Sequence, residues 1–206
     1  MQKAATLLAL FCITAFAQQK GTFTDTRDGK TYKITKIGEQ VWMAENLNYE
    51  AEGSKCYNDS ISYCGKYGRL YKWSTAMKAC PKGWHLPSND EWDKLFRHVD
   101  GDKGTKSPYE SETAGKYLKS KEGWNWNNDD GISGNGEDTY GFSALPDGYG
   151  NPNGSFGDVG DYCQWWSSSE DDSDYAYIRY MVHDLDNAFW VSGANDRLYS
   201  VRCVGD

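Results

Sequence analysis

Histidine is scarce in this chain of 206 residues, with His85, His98 and His183 far apart, and no Cys-x2-Cys pair occurs. The spacing that zinc sites need is therefore absent. Basic runs are short as well. No cluster of five Lys or Arg interrupts a chain whose net charge is −8, which excludes a phosphate-backbone partner and so nucleic acid. Beyond the N-terminus no apolar run reaches 18 residues, so no membrane span is expected. Hydrophobic residues make up only 38%, and 22 Gly would each cost a helix about 1 kcal/mol relative to Ala, which argues against long helical bundles. What the chain has is rings: 9 Trp, 15 Tyr and 7 Phe, too many for a disordered segment. Composition thus predicts an acidic, aromatic, loop-rich globular domain.

The first residues read as a secretory signal. Lys3 gives a positive start, Ala4 to Thr14 form an apolar run too short to cross a bilayer, and Ala15-Phe16-Ala17 fits the small-x-small cleavage rule. Residues 1–17 are read as signal peptide and 18–206 as a single domain, secreted or held at the cell surface. Losing Lys3 with the signal takes the net charge from −8 to −9.

Export changes the meaning of the cysteines. Without Cys12, five remain in an oxidising compartment, so one is left over. Cys56 and Cys64, around the turn-rich Asn58-Asp59-Ser60, suit a local bridge. Cys80 and Cys203 flank most of the domain and suit a long one. Cys163 is the orphan, with no neighbouring His or Lys to lower its pKa.

Periodicity predicts strands, turns and a few helices. Thr22–Thr24 and Thr31–Ile34 alternate around Asp28-Gly29, a hairpin signal, and a third strand runs through Val41-Trp42-Met43. Ser88-x-x-Glu91 is a capping box before Trp92, Leu95, Phe96 and Val99 at helical spacing. Shorter helices are expected within Tyr71–Ala79 and Glu112–Lys119. From Gly123 to Gly160 the composition turns to Gly, Asn, Asp and aromatics, a long loop region with one short strand at Tyr140–Leu145. Trp165–Ser168, Tyr175–Val182, Ala188–Ser192 and Leu198–Cys203 read as antiparallel strands.

Several motifs in fixed order carry a family resemblance: Gly68-Arg69-Leu70-Tyr71-x-Trp73, Cys80-Pro81-x-Gly83-Trp84-His85-Leu86-Pro87-Ser88-x-x-Glu91-Trp92, Tyr140-Gly141-Phe142-Ser143-Ala144-Leu145-Pro146, Trp166-Ser167-Ser168-Ser169-Glu170 and Ser200-Val201-Arg202-Cys203. Together they resemble the Fibrobacter succinogenes major paralogous domain family from about Gly21 onward. Leu86-Pro87-Ser88-x-x-Glu91-Trp92 and Val201-Arg202-Cys203 are also similar to formylglycine-generating enzymes and the wider C-type-lectin-like fold. The resemblance implies an α+β, C-type-lectin-like domain: a twisted antiparallel sheet, two or three helices, a long irregular loop region and neighbouring termini. A Cys80–Cys203 bridge fits that arrangement.

No activity comes with the family. The paired cysteines of formylglycine-generating enzymes are missing, and Glu91 reads as a helix cap rather than a catalytic acid. The expected function is therefore a non-enzymatic module that binds a glycan or an extracellular protein through its loop region; the alternatives are an enzyme of the formylglycine-generating group or a structural envelope protein. Trp124, Trp126, Tyr149, Tyr162, Trp165 and Trp166 are the candidate ligand-contacting rings, with Trp73, Trp84, Trp92 and Trp190 assigned to the core. Asp129, Asp130, Asn135 and Asp138 are a candidate Ca²⁺ site, since hard oxygen ligands suit that ion, although the spacing is not that of an EF-hand. The competing reading there is an Asx-rich turn network without metal.

Overall fold

The computed structural model describes residues 19–101, 110–127 and 131–206, so the expected signal peptide lies outside the described residues. The fold is sheet-rich α+β. β1 (Lys20–Thr24) and β2 (Thr31–Ile37) pair antiparallel around Asp28-Gly29, and β3 (Gln40–Met43) pairs with β2. After α1 (Ile61–Tyr67), β4 (Leu70–Tyr71) and α2 (Trp73–Ala79), the short β5 (Trp84–His85) leads into α3 (Asn89–Val99). β6 (Glu110–Ser111) and α4 (Ala114–Leu118) precede two small hairpins, β7 (Trp126–Asn127) with β8 (Ile132–Ser133) and β9 (Asp147–Gly150) with β10 (Phe156–Val159). The long strands β11 (Tyr162–Glu170), β12 (Tyr175–Val182) and β13 (Ala188–Ala194) follow, then β14 (Tyr199–Ser200) and β15 (Val204–Gly205).

Two main sheets result. One has the order β1-β2-β3-β15-β5, which brings the first and last strands of the described chain into one sheet; the other has the order β4-β14-β11-β12-β13-β6. β11 is covered on both faces. Because side chains alternate along a strand, consecutive tryptophans must part. Trp165 enters a core with α3, α4, Trp42 and Phe142, and Trp166 enters a second core with α2, Tyr71, Ile178 and Tyr199. At α3 the capping box forms as expected: Ser88 Oγ accepts from Glu91 N–H, Glu91 accepts from Ser88 N–H, and Trp92, Leu95, Phe96 and Val99 are buried.

Four local expectations are corrected. Tyr140–Leu145 is not a strand: Phe142 is pinned in the core against Trp42, Trp92 and Trp165, and Ser143 takes φ 54°, which interrupts extended pairing. Only Ala144 bridges, to Lys119. The Leu198–Cys203 stretch is a strand only at β14, which pairs antiparallel with β4 as expected but lies parallel to β11 at Trp165–Ser200, and Leu198 adds one antiparallel bridge to Gly150. The segment after Cys56 contains the helix α1, which the turn-forming residues had concealed. Of the four tryptophans assigned to the core, Trp92 is fully enclosed, Trp73 and Trp84 pack half-buried against the second core, and Trp190 is half-buried on β13.

Both expected disulfides are present, Cys56–Cys64 across 8 residues and Cys80–Cys203 across 123. Loop entropy scales with the logarithm of the closed length, giving about 2.6 kcal/mol for the short bridge and about 5 kcal/mol for the long one. The Cys80→Ser/Cys203→Ser variant is expected to lose more stability in denaturant unfolding than Cys56→Ser/Cys64→Ser. Equal losses would contradict this ranking.

Candidate functional site

The six candidate rings separate into distinct environments. Trp165 and Trp166 have no exposed surface and Trp124 is 4% exposed, so these three are corrected from ligand contacts to core. Trp124 lies outside the β7 strand, so it does not share the outward parity of Trp126; its Nε1 instead donates to Ser120 Oγ and Ala144 O. Trp126 is 61% exposed. Tyr149 is half-buried against Tyr199, and Tyr162 stands in a half-buried row with Tyr180 and Phe189 across β11, β12 and β13.

Of the candidate calcium ligands, Asp129 and Asp130 lie outside the described residues. Asn135 Oδ1 accepts from Trp124 N–H, and the Asp138 carboxylate accepts from the Ser143 N–H and hydroxyl at 2.7 Å each. These oxygens are spent on the loop's own backbone. Among the described residues no group of three or more metal-type ligands gathers. The loop is also held by Lys119, whose buried ammonium donates to the carbonyls of Val182, His183 and Leu185. Burial pushes its pKa down. Gly134 and Gly136 are required here because a Cβ would collide with Asn125 O and Lys119 O. Cys163 is unpaired and wholly buried as expected, and burial pushes its thiol well above the ordinary range, the opposite of a reactive thiolate.

The strongest polar constellation was not legible in the sequence. Asn46, just after β3, presents its amide between a buried cation and a buried carboxyl. Asn46 Oδ1 accepts from Arg202 Nε at 2.9 Å, Arg202 Nη2 at 2.6 Å and Trp165 Nε1 at 2.8 Å. Its Nδ2 donates to Asp147 Oδ2 at 2.6 Å and to Tyr67 O at 2.9 Å. Ser200 Oγ donates to the same Asp147 oxygen. Arg202 also donates to the carbonyls of Met43 and Phe142. Burial raises the Asp147 pKa to about 7, against the opposing Ser200 hydrogen bond and the Arg202 charge, and burial lowers that of Arg202 to about 10.

Asn46 and Arg202 form the floor of a cleft of about 500 Å³. One wall is built from Lys30 just before β2 and Lys33 on it, Glu45 and Asn48 beyond β3, and Gly65, Lys66 and Tyr67 of α1. The other comes from Ser120, Lys121, Glu122, Asp138 and Ser143 of the long-loop region. A second depression of about 470 Å³ shares Lys66 and Tyr67 and continues past Tyr63, Ser62 and Asn125 to Gly160. The two depressions share Lys66 and Tyr67 as lining residues, and the larger one is a groove between α1 and the long-loop side. Each lies in the size range of ligand pockets. Lys30 bonds to Asp28 and to Asn48 O, and Lys33 lies 4.0 Å from Glu45. Lys66 lies over the Tyr67 ring at 4.6 Å, and among the described residues neither it nor Lys121 is ion-paired. Hydroxyls, an amide and charges of both signs can hydrogen-bond a polar ligand.

Two outcomes follow from the network. Asn46→Ala leaves Arg202, Trp165 and Asp147 without their shared partner and is expected to cost about 3 kcal/mol or more in denaturant unfolding. The raised Asp147 pKa means that the folded state holds its proton more tightly than the unfolded chain does. Its contribution is complete below the ordinary carboxylate pKa and is lost as pH rises toward and through about 7. At His85, partial burial pushes the pKa down, but hydrogen bonds to Asp206 and Glu91 outweigh it and leave the value raised; this contribution too is lost as pH rises, through a value above 6.5. The thermal midpoint is expected to fall between pH 5 and pH 8, and to fall less in Asp147→Asn; parallel profiles would contradict the assignment.

The model of the Fibrobacter succinogenes major domain matches residues 35–205, leaving β1 and the first residues of β2 outside the match. No curated protein and no solved structure matches the chain. The match spans most of the sequence, and it contains every residue of the Asn46 network and all of the groove except its rim at residues 30–33; the chain belongs to the Fibrobacter succinogenes major domain family.

Proposed function

We propose that this chain is an exported, non-enzymatic binding module of C-type-lectin-like architecture that holds a glycan in the groove between α1 and the long-loop region. The observation that carries this reading is that two polar-lined depressions of ligand-pocket size lie side by side, with Lys66 and Tyr67 of α1 lining both. Sugars present hydroxyls and weakly apolar ring faces. The depressions offer the Ser62 hydroxyl and the Asn125 and Ser143 oxygens for the hydroxyls, the last two residues already donating to Asp161 and Asp138, and the half-buried Tyr63 for a ring. The framework is stiff, since Cys56–Cys64 staples α1 and the Asn46 network ties the floor, so little ordering is needed on binding. Asn135 and Asp138 are committed within the loop, so calcium is not invoked in the groove.

Export is supported by the N-terminal charged and apolar pattern and by the two disulfides. No helix among the described residues is long and apolar enough to cross a membrane. The formylglycine-generating alternative needs an accessible sulfur pair; among the described residues four cysteines are in disulfides and Cys163 is enclosed.

Gly65 offers a clean test. It lines the cleft on α1, and a Cβ there meets nothing within 4 Å. Gly65→Trp is expected to fill the groove and abolish retention on a glycan array while the thermal midpoint stays unchanged, and Gly65→Ala is expected to bind as the native chain does. Retention unaffected by Gly65→Trp, or no retention on any glycan with or without chelator, would refute the reading.

A further inference from the structure

Charge is distributed unevenly over the molecule. The whole chain carries 30 acidic against 22 basic residues, yet the groove is lined by five basic side chains, Lys30, Lys33, Lys66, Lys121 and Arg202, against three carboxylates, Glu45, Glu122 and Asp138. Several of these are already occupied. Lys30 and Lys33 face Asp28 and Glu45, Arg202 is spent on Asn46 and two carbonyls, and Asp138 is spent on Ser143. Among the described residues Lys66, Lys121 and Glu122 remain without an ion pair, a net positive remainder in an acidic protein. The second depression goes further, because among the described residues Lys66 is the only charged side chain lining it, set beside Tyr63, Ser62 and Asn125. Lys66 is exposed and free to turn toward a ligand anion, while the nearby Asp161 carboxylate is bonded to Asn125.

We infer that the groove selects an anionic glycan, a polysaccharide bearing carboxylate or sulfate groups, with Lys66 and Lys121 as the anion-recognising residues. The inference rests on the glycan reading above. A ring-substituted anion suits this arrangement: the sugar face meets Tyr63, its hydroxyls meet Ser62 and Asn125, and its charge meets Lys66. A second charged group along the same chain would reach Lys121 on the long-loop wall.

The test measures binding of the full exported chain to oligogalacturonate, to its carboxyl-reduced neutral counterpart, to a sulfated dextran and to poly-glutamate. Oligogalacturonate or sulfated dextran is expected to bind, the two arms separating carboxylate from sulfate as the source of charge, and to weaken with rising salt. The neutral oligosaccharide is expected to bind at least about 10-fold more weakly. Lys66→Gln and Lys121→Gln are each expected to weaken the anionic ligand by about 2- to 5-fold, the scale of one solvent-exposed ion pair, at unchanged thermal midpoint, with Lys→Arg retaining most affinity. Equal binding of neutral and anionic glycans, or lysine variants that bind as the native chain does, overturns this inference and leaves the groove reading standing. Poly-glutamate binding in place of the glycans overturns both in favour of an acidic peptide, and no binding by any probe removes the glycan reading itself.

Discussion

The amide of Asn46 is the interaction on which the rest of this structure depends. Arg202 and Asp147 are both buried, and each alone would carry a large desolvation cost. They do not touch. The Asn46 amide lies between them with its oxygen toward the guanidinium and its nitrogen toward the carboxyl, so its dipole is aligned with the field of the pair. The five participating residues come from the turn after β3, from β9, β11 and β14, and from the segment before β15. One side chain thereby ties the N-terminal sheet, the long-loop region and the central sheet, and sets the floor of the groove.

That tie explains why a region so rich in Gly, Asn and Asp is ordered without much regular structure. Its backbone is held at discrete points: Asp147 by Asn46 and Ser200, the neighbourhood of Lys119 by three carbonyls across the β12–β13 turn, and Asp138 by Ser143. Glycine serves close approach there more than flexibility. The groove inherits its shape from these ties and from α1, which the short disulfide fastens to the preceding turn.

Much of this was legible in advance where the signal is local. The Asp28-Gly29 hairpin, the Ser88/Glu91 cap and the face of α3 follow from neighbours within a few residues, and so they appear as expected. The cysteine pairing followed from an odd count and from spacing. The tryptophan assignments failed for the opposite reason: Trp165 and Trp166 looked like an exposed pair beside a loop, but a strand covered on both sides buries both parities. Trp126, in the same loop region, stays exposed because its two-stranded hairpin has no such cover.

The sequence by itself determined the local elements, the family, the disulfide framework and the acidic, ring-rich character of the chain, because each is written in composition or in residues close together. Only the tertiary structure decided which rings face solvent, that Asn46 mediates between Arg202 and Asp147, and that Lys66 and Lys121 border one groove. Those facts join residues separated by 55 to 156 positions, and the physical quantities that settle them, burial and the direction of a hydrogen bond, exist only after the strands have packed.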